Sequence, residues 1–304
     1  MQRVIPGSVD IQGLTCLCSV CVCVCVCVCV CVSDTVGGVI QTLPVGNPVL
    51  GVTSLDNRLY VLRHYVNWTH IEVYDVDSFL LLRYLTVSSL GAAGDIVACA
   101  HNACAYVSDW SNNSVGRVTL SDATVAYWPV GDKPTCLSLT ATHGVLVTCW
   151  EVSKVKEFST DGQLLLELTL PQEIVLPLHA VQLSSGGFAV CHGLNADHLH
   201  GVCLIGSDGG IVKMYGGPAG SDTRDMNVPA HMAVDENGFL FVVDHNNRRV
   251  LLLSPMLNYV RDVVPRQEFG WVPVRVHVDS ARRRLYVALN DTSHTAGGVA
   301  VFSV

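Results

Sequence analysis

An all-β fold is predicted for this chain: a six-bladed β-propeller of four-stranded antiparallel blades, closed by an N-terminal strand that completes the last blade. Three observations carry the prediction. From residue 36 onward, short apolar runs alternate with turns built from Asn, Asp, Gly and Pro, the pattern of antiparallel strands. One apolar triplet recurs six times at nearly even spacing. The last repeat lacks a fourth strand, and an unassigned apolar run stands ahead of the first.

The repeat is clearest between Pro229 and Val264, where four apolar runs are separated by Asp235-Glu236-Asn237-Gly238, Asp244 to Arg249 and Ser254-Pro255. A single such meander leaves apolar faces uncovered, so it needs neighbours of its own kind. The second runs are Leu59-Tyr60-Val61, Ala105-Tyr106-Val107, Val145-Leu146-Val147, Phe188-Ala189-Val190, Leu240-Phe241-Val242 and Leu285-Tyr286-Val287. Their final valines are 46, 40, 43, 52 and 45 residues apart, a period that suits a four-stranded blade.

First strands are marked by proline, which tolerates the opening position of a strand. Pro48, Pro134, Pro177 and Pro229 each stand 13 residues before the final Val, Pro273 stands one further back, and the second unit has Gly94 in that slot. Third strands follow at Ile71, Val115, Val155, Val202, Val250 and Val299, and fourth strands at Phe79, Val125, Leu164, Ile211 and Tyr259. The sixth fourth strand is supplied by the run Gly38 to Leu43, which closes the ring and leaves no open edge between first and last blades.

Residues 1–35 stand apart from the propeller, which takes residues 36–304. Cys21 to Val32 is a strict Cys-Val alternation, which a TGTGTG tract would encode in any forward frame, and reads as a low-complexity segment that is disordered or a gene-model artefact. If residues 14–32 are instead a genuine signal or span, the protein is secreted or membrane-anchored. The other six cysteines are scattered singly through apolar runs with no disulfide framework, which leans toward a reducing, cytoplasmic setting. A net charge of -8 with 18 Lys and Arg disfavours an RNA partner. A monomer is expected, with no membrane contact for the propeller itself.

The stretch Asp235 to Val250, with an apolar strand, Asp244, an Asn-containing loop, Arg249 and Val250, resembles the NHL repeat. Ala105 to Val115 is similar but lacks the Arg, and the other units keep the strands and lose most of the motif. The chain is therefore similar to the C-terminal propeller of tripartite-motif proteins. That resemblance implies a protein- or RNA-binding module and a place in a ubiquitin-ligase-type pathway. No cysteine spacing matches a RING finger or B-box, so ligase activity does not carry over. A rarer relative is the lyase that cleaves peptidyl-hydroxyglycine.

Successive turns of a meander alternate between two faces, and the longer connections here join second to third strands and blade to blade. Function on a rigid scaffold concentrates in long loops, so that face is the expected recognition surface. Arg63, His64, Asp109, Trp110, Trp150, His192, Asp244 and His245, with Arg248 and Arg249, enter those loops and are expected to ring the channel mouth. The competing reading is that Asp109 and Asp244 cap their own loops and that the tryptophans pack between blades. His179, His231 and Arg275, with Cys136, stand at the channel end of the first strands, two residues after proline. Two histidines from neighbouring blades are similar to the zinc site of the amidating lyase, but a third His, the catalytic Tyr and the calcium ligands have no counterpart assigned, so a buried, hydrogen-bonded histidine is the preferred account of each. His192, His198 and His200 near Asp197 are weak metal candidates without an evident fourth ligand.

No cofactor is expected, and no catalytic residue is assigned. The leading expectation is a non-catalytic module that binds a protein or peptide on the long-loop face. The alternatives are a metal-dependent lyase or lactonase using the channel histidines, and an RNA-binding propeller.

Overall fold

The computed structural model describes residues 38–65, 68–87, 90–266 and 271–304. The Cys-Val segment lies outside them. Strand β1 (Val39–Thr42) comes first. Blade 1 then runs β2 (Val49–Leu55), β3 (Arg58–Tyr65), β4 (Trp68–Asp75) and β5 (Leu81–Val87). Blade 2 is β6 (Ala93–Cys99), β7 (Cys104–Asp109), β8 (Ser114–Thr119) and β9 (Val125–Pro129). Blade 3 is β10 (Pro134–Leu139), β11 (Val145–Cys149), β12 (Lys154–Phe158) and β13 (Leu164–Thr169), with a 3₁₀ turn at Trp150–Val152. Blade 4 is β14 (Pro177–Gln182), β15 (Phe188–His192), β16 (Leu199–Ile205) and β17 (Ile211–Pro218), and blade 5 is β18 (Pro229–Val234), β19 (Leu240–Asp244), β20 (Arg249–Leu253) and β21 (Tyr259–Val264). Blade 6 has β22 (Trp271–Asp279), β23 (Arg284–Asp291) and β24 (Gly297–Ser303).

Each blade is a four-stranded antiparallel sheet in chain order, except the last, whose order is β1-β24-β23-β22. The expected closure is present. Val39 pairs with Phe302, Gln41 with Val301 and Thr42 with Ala300. The connection continues the ladder, with Leu43 donating to the Val299 carbonyl and Gly46 and Gly297 exchanging backbone bonds.

The core is divided among the seams between blades. Tyr60, Leu62 and Ile71 of blade 1 pack on Ile96, Ala105 and Val107 of blade 2. Matching layers lie at the remaining seams, the last joining Val274, Tyr286 and Val301 of blade 6 to Val52, Leu59 and Val61 of blade 1. This is why the second strands, apolar on both faces, are almost wholly buried.

Pro134, Pro177 and Pro229 open their strands as expected. In the second blade Ala93, not Gly94, takes the corresponding place, paired with Asp109. The same irregularity follows in every blade: the register of the first strand against the second slips between residues 49 and 51, 93 and 96, 134 and 136, 177 and 179, 229 and 231, and 273 and 275. A bulge of this kind re-aims the residue beside it.

Candidate functional site

Gly51, Cys136, His179, His231 and Arg275 are the first paired residues past the slip, and Asp95 lies within it. They come from six different blades, and their contacts show that they meet at the axis. Nε2 of His231 in blade 5 lies 3.3 Å from the Asp95 carboxylate of blade 2, directly across the ring. Arg275 of blade 6 sets Nε 3.5 Å from the other Asp95 oxygen and donates to the Gly94 carbonyl at 2.9 Å. His179 stacks on His231, with ring centres 3.9 Å apart and planes 10° from parallel. Gly51 leaves space for this layer, because a Cβ there would sit 2.7 Å from Ile96 and 3.0 Å from Asp95.

Backbone donors set the protonation of both histidines. Nδ1 of His179 accepts the Met232 N–H at 3.2 Å, so its proton sits on Nε2, which donates to the Leu137 carbonyl at 3.2 Å. Nδ1 of His231 accepts the Val276 N–H at 3.4 Å, leaving Nε2–H to donate to Asp95. Burial holds both imidazoles below the usual histidine range, most strongly at His179. Burial would raise the Asp95 carboxyl, but the charge and hydrogen bond of His231 and the charge of Arg275 overcome it and hold Asp95 at about 2. The Leu137 N–H adds a bond to Asp95 at 3.0 Å. The Cys136 thiol is pushed up to about 12 by burial, so it is no nucleophile at neutral pH.

Asp95, His179 and His231 bring ligand-type atoms within 4.8 Å of one another. They do not fit a resident metal as arranged. Both Nε2 atoms carry protons and both Nδ1 lone pairs are taken by backbone N–H groups, so neither ring offers a free nitrogen.

This polar layer separates two vestibules. On the long-loop face lies a cavity of about 420 Å³ with Cys136 and Arg275 at its base and His245 and His294 among its walls. On the tight-turn face a smaller one of about 190 Å³ is lined by His179, His231 and His277. His245 differs from the axial pair. Its Nδ1–H donates to the Pro273 carbonyl at 3.1 Å, so its Nε2 is the unprotonated nitrogen, and burial keeps the ring neutral. His294 lies parallel to it, centres 5.9 Å apart.

Several residues expected to ring the mouth are buried and committed elsewhere. Arg63 is 1 % exposed. It pairs with Glu72 at 2.6 Å and donates to the carbonyls of Pro44, Asn47 and Gly297, clamping the closing connection. Asp109 caps its own loop and the incoming one, accepting from Ser111, Asn112 and the Gly91 N–H. Asp244 receives the Asn227 N–H, Asn247 and Arg249, while Arg249 also bonds the carbonyls of Asp222 and Asp225. The Asp and Arg of the NHL-like stretch thus hold down the preceding inter-blade loop. Arg63 lies inside a second strand, Asp109 and Asp244 end second strands and Arg249 opens a third, and the inter-blade layers cover them.

His192 is buried against Cys203, Nε2 to Sγ 3.3 Å. His200 spends both ring nitrogens on Asn195 and Val228. Among the described residues these two and His198 do not assemble with each other as a metal group. Trp110 is 47 % exposed, His64 is exposed, and Trp150, His245 and Arg248 are half-buried.

Two members of the site escape the proline count. Asp95 stands 12 residues before Val107, whereas Cys136, His179 and His231 stand 11 before Val147, Val190 and Val242. The first hairpin of blade 2 is one residue longer between equivalent pairs, Ile96↔Val107 against Leu137↔Val147, so the slot shifts. His294 sits in the last loop with no motif around it, and only stacking on His245 marks it.

Fold and site together define a closed six-bladed β-propeller with a plugged axis and an open cavity on its long-loop face. No protein-family model and no curated protein matches the chain. Solved structures share the architecture. A catalytically inactive virginiamycin B lyase from Staphylococcus aureus with quinupristin is 14% identical over 87% of this chain and 99% of its own, with TM-score 0.60. Hydrazine synthase from Kuenenia stuttgartiensis is 15% identical over 89% of this chain and 99% of that chain, with TM-score 0.62. At such identities the likeness is one of fold. Among the described residues no helix is long and apolar enough to cross a membrane.

Proposed function

We propose that this propeller is a non-catalytic module that binds a protein or peptide on its long-loop face, as its resemblance to NHL propellers also suggests. The observation carrying this reading is the contrast between the two levels of the axis. The buried acid, imidazoles and guanidinium are engaged with one another and with backbone, while the cavity above them is open and mostly apolar-walled. Exposed apolar side chains stand on the surrounding loops: Val45, Trp110, Val152 and Leu194. An apolar rim around a cavity with few polar groups is the composition of a recognition site.

The test is selection of peptides from a random display library on the full chain, followed by binding to variants. Trp110→Ala and Leu194→Asp should each weaken the selected peptides at least about tenfold, the loss typical of a central contact. Met256→Asp on the tight-turn face should leave them unchanged. Peptides that protect the tight-turn face, and are indifferent to Trp110 and Leu194, would refute the reading.

A second reading, a metal-dependent propeller enzyme, draws on the clustering of Asp95, His179 and His231. It requires both imidazoles to surrender the Nε2 protons that their backbone partners impose. Stoichiometric zinc in purified protein, lost in His179→Asn, would favour it. The RNA reading has less support, since Arg249 is ion-paired with Asp244, and Arg282 and Arg284 with Asp279 and Asp77.

A further inference from the structure

The cavity's polar equipment is specific about what it accepts. Arg275 donates one N–H from each terminal nitrogen, to Val274 and Gly94, leaving a second N–H on each with no acceptor among the described residues. Its charge is already balanced by Asp95. His245 is fixed by Pro273 in the form whose Nε2 is a bare acceptor, and no group among the described residues donates to it. The same cavity therefore presents spare donors on one wall and a spare acceptor on another, with no net charge between them, among apolar neighbours such as Leu178, Val228 and Val274.

Ligand classes can be sorted against that pattern. A carboxylate would satisfy Arg275 but set its second oxygen against the His245 lone pair, with Asp95 close behind. An ammonium would suit His245 and be repelled by Arg275. A hydrocarbon would leave both unpaired, which is costly away from water. A carboxamide accepts through its oxygen, donates through its nitrogen and carries no charge.

We propose that the mouth cavity holds a carboxamide of the bound partner, a peptide group or an Asn or Gln side chain, accepting from Arg275 and donating to Nε2 of His245. This rests on the long-loop face being the recognition surface and names the chemistry read there. His245 is then a specificity-determining residue, and His294 stacks beside it as a wall.

The experiment uses ¹⁵N-labelled full chain at pH 7.5, titrated with butyramide, methyl butyrate and butyrate while the His245 ring nitrogens and the Arg275 side-chain N–H signals are followed. Butyramide should shift both residues saturably and bind at least about tenfold tighter than the ester or the acid, the discrimination expected when one buried partner is left unpaired. His245→Phe, which preserves stacking, should erase that preference. Equal or tighter binding of butyrate or of the ester overturns the assignment. So does saturation that leaves His245 unmoved, or no response to butyramide up to its solubility. If display-selected peptides still footprint on Trp110 and Leu194 in any of those cases, the carboxamide assignment alone falls.

Discussion

Replacing Arg63 by Ala should loosen the ring at its closure. The guanidinium forms a 2.6 Å ion pair with Glu72 and reaches three carbonyls, two in the connection from β1 to blade 1 and one on β24. Removing one partner of a buried pair costs about 3–5 kcal/mol, because the other charge stays behind unpaired. Tyr74 still donates to Glu72 at 2.8 Å, and the Pro44 and Asn47 carbonyls are near enough to solvent to be rehydrated. These hold the loss to about 4 kcal/mol, with the Glu72 carboxylate left without its countercharge and the buried Gly297 carbonyl as its main sources. Arg63→Lys keeps the charge but not the fork, so it should lose about half as much. Urea unfolding gives the magnitude. Amide exchange gives the place: protection should fall first at Leu43, Gly46 and Gly297, whose N–H groups tie the closing connection to blade 6. A loss under about 1 kcal/mol, or exchange that quickens equally in all blades, would show that the ring does not depend on this clamp.

Two further perturbations address the buried polar groups. His192 is fully buried and held at about 4, so between about pH 6.5 and 4 the unfolded chain takes up a proton that the folded chain refuses. The associated stability, roughly 3 kcal/mol, is whole above pH 6.5 and lost toward pH 4; His192→Phe should flatten the urea midpoint over that window, and an unchanged slope would refute the assignment. Asp95→Asn removes the countercharge of Arg275 at the axis and should cost about 3 kcal/mol at pH 7, a penalty that shrinks as acid protonates Asp95 in wild type between about pH 4 and 2; a neutral substitution would show that the axial layer is not charge-coupled.

Much of the architecture was legible because a propeller repeats. The six apolar triplets, the prolines opening three first strands and the unclaimed run before the first unit each mark a strand by local chemistry. Counting them places β1 beside β24 without knowledge of any contact. The axial site was legible in part for the same reason: His179, His231 and Arg275 share one slot relative to proline. Asp95 did not, since its blade has neither the proline nor the common turn length, and a count along the chain has no means of seeing a bulge.

The expected ring of recognition residues shows where reading by position stops. Arg63, Asp109, His192, Asp244 and Arg249 do lie toward the long loops, but Arg63 is inside a second strand and the others end a second strand or open a third, and neighbouring elements cover those positions. Sequence order alone determined the number of blades, the succession of strands within them and the closure, because turn residues and apolar periodicity act over a few residues at a time. Tertiary structure decided which polar side chains are available. That availability depends on which backbone N–H from the next blade reaches a given imidazole, as Met232 does for His179 and Pro273, in the opposite sense, for His245. Such bonds join residues 28 to 53 positions apart, and no local pattern records them.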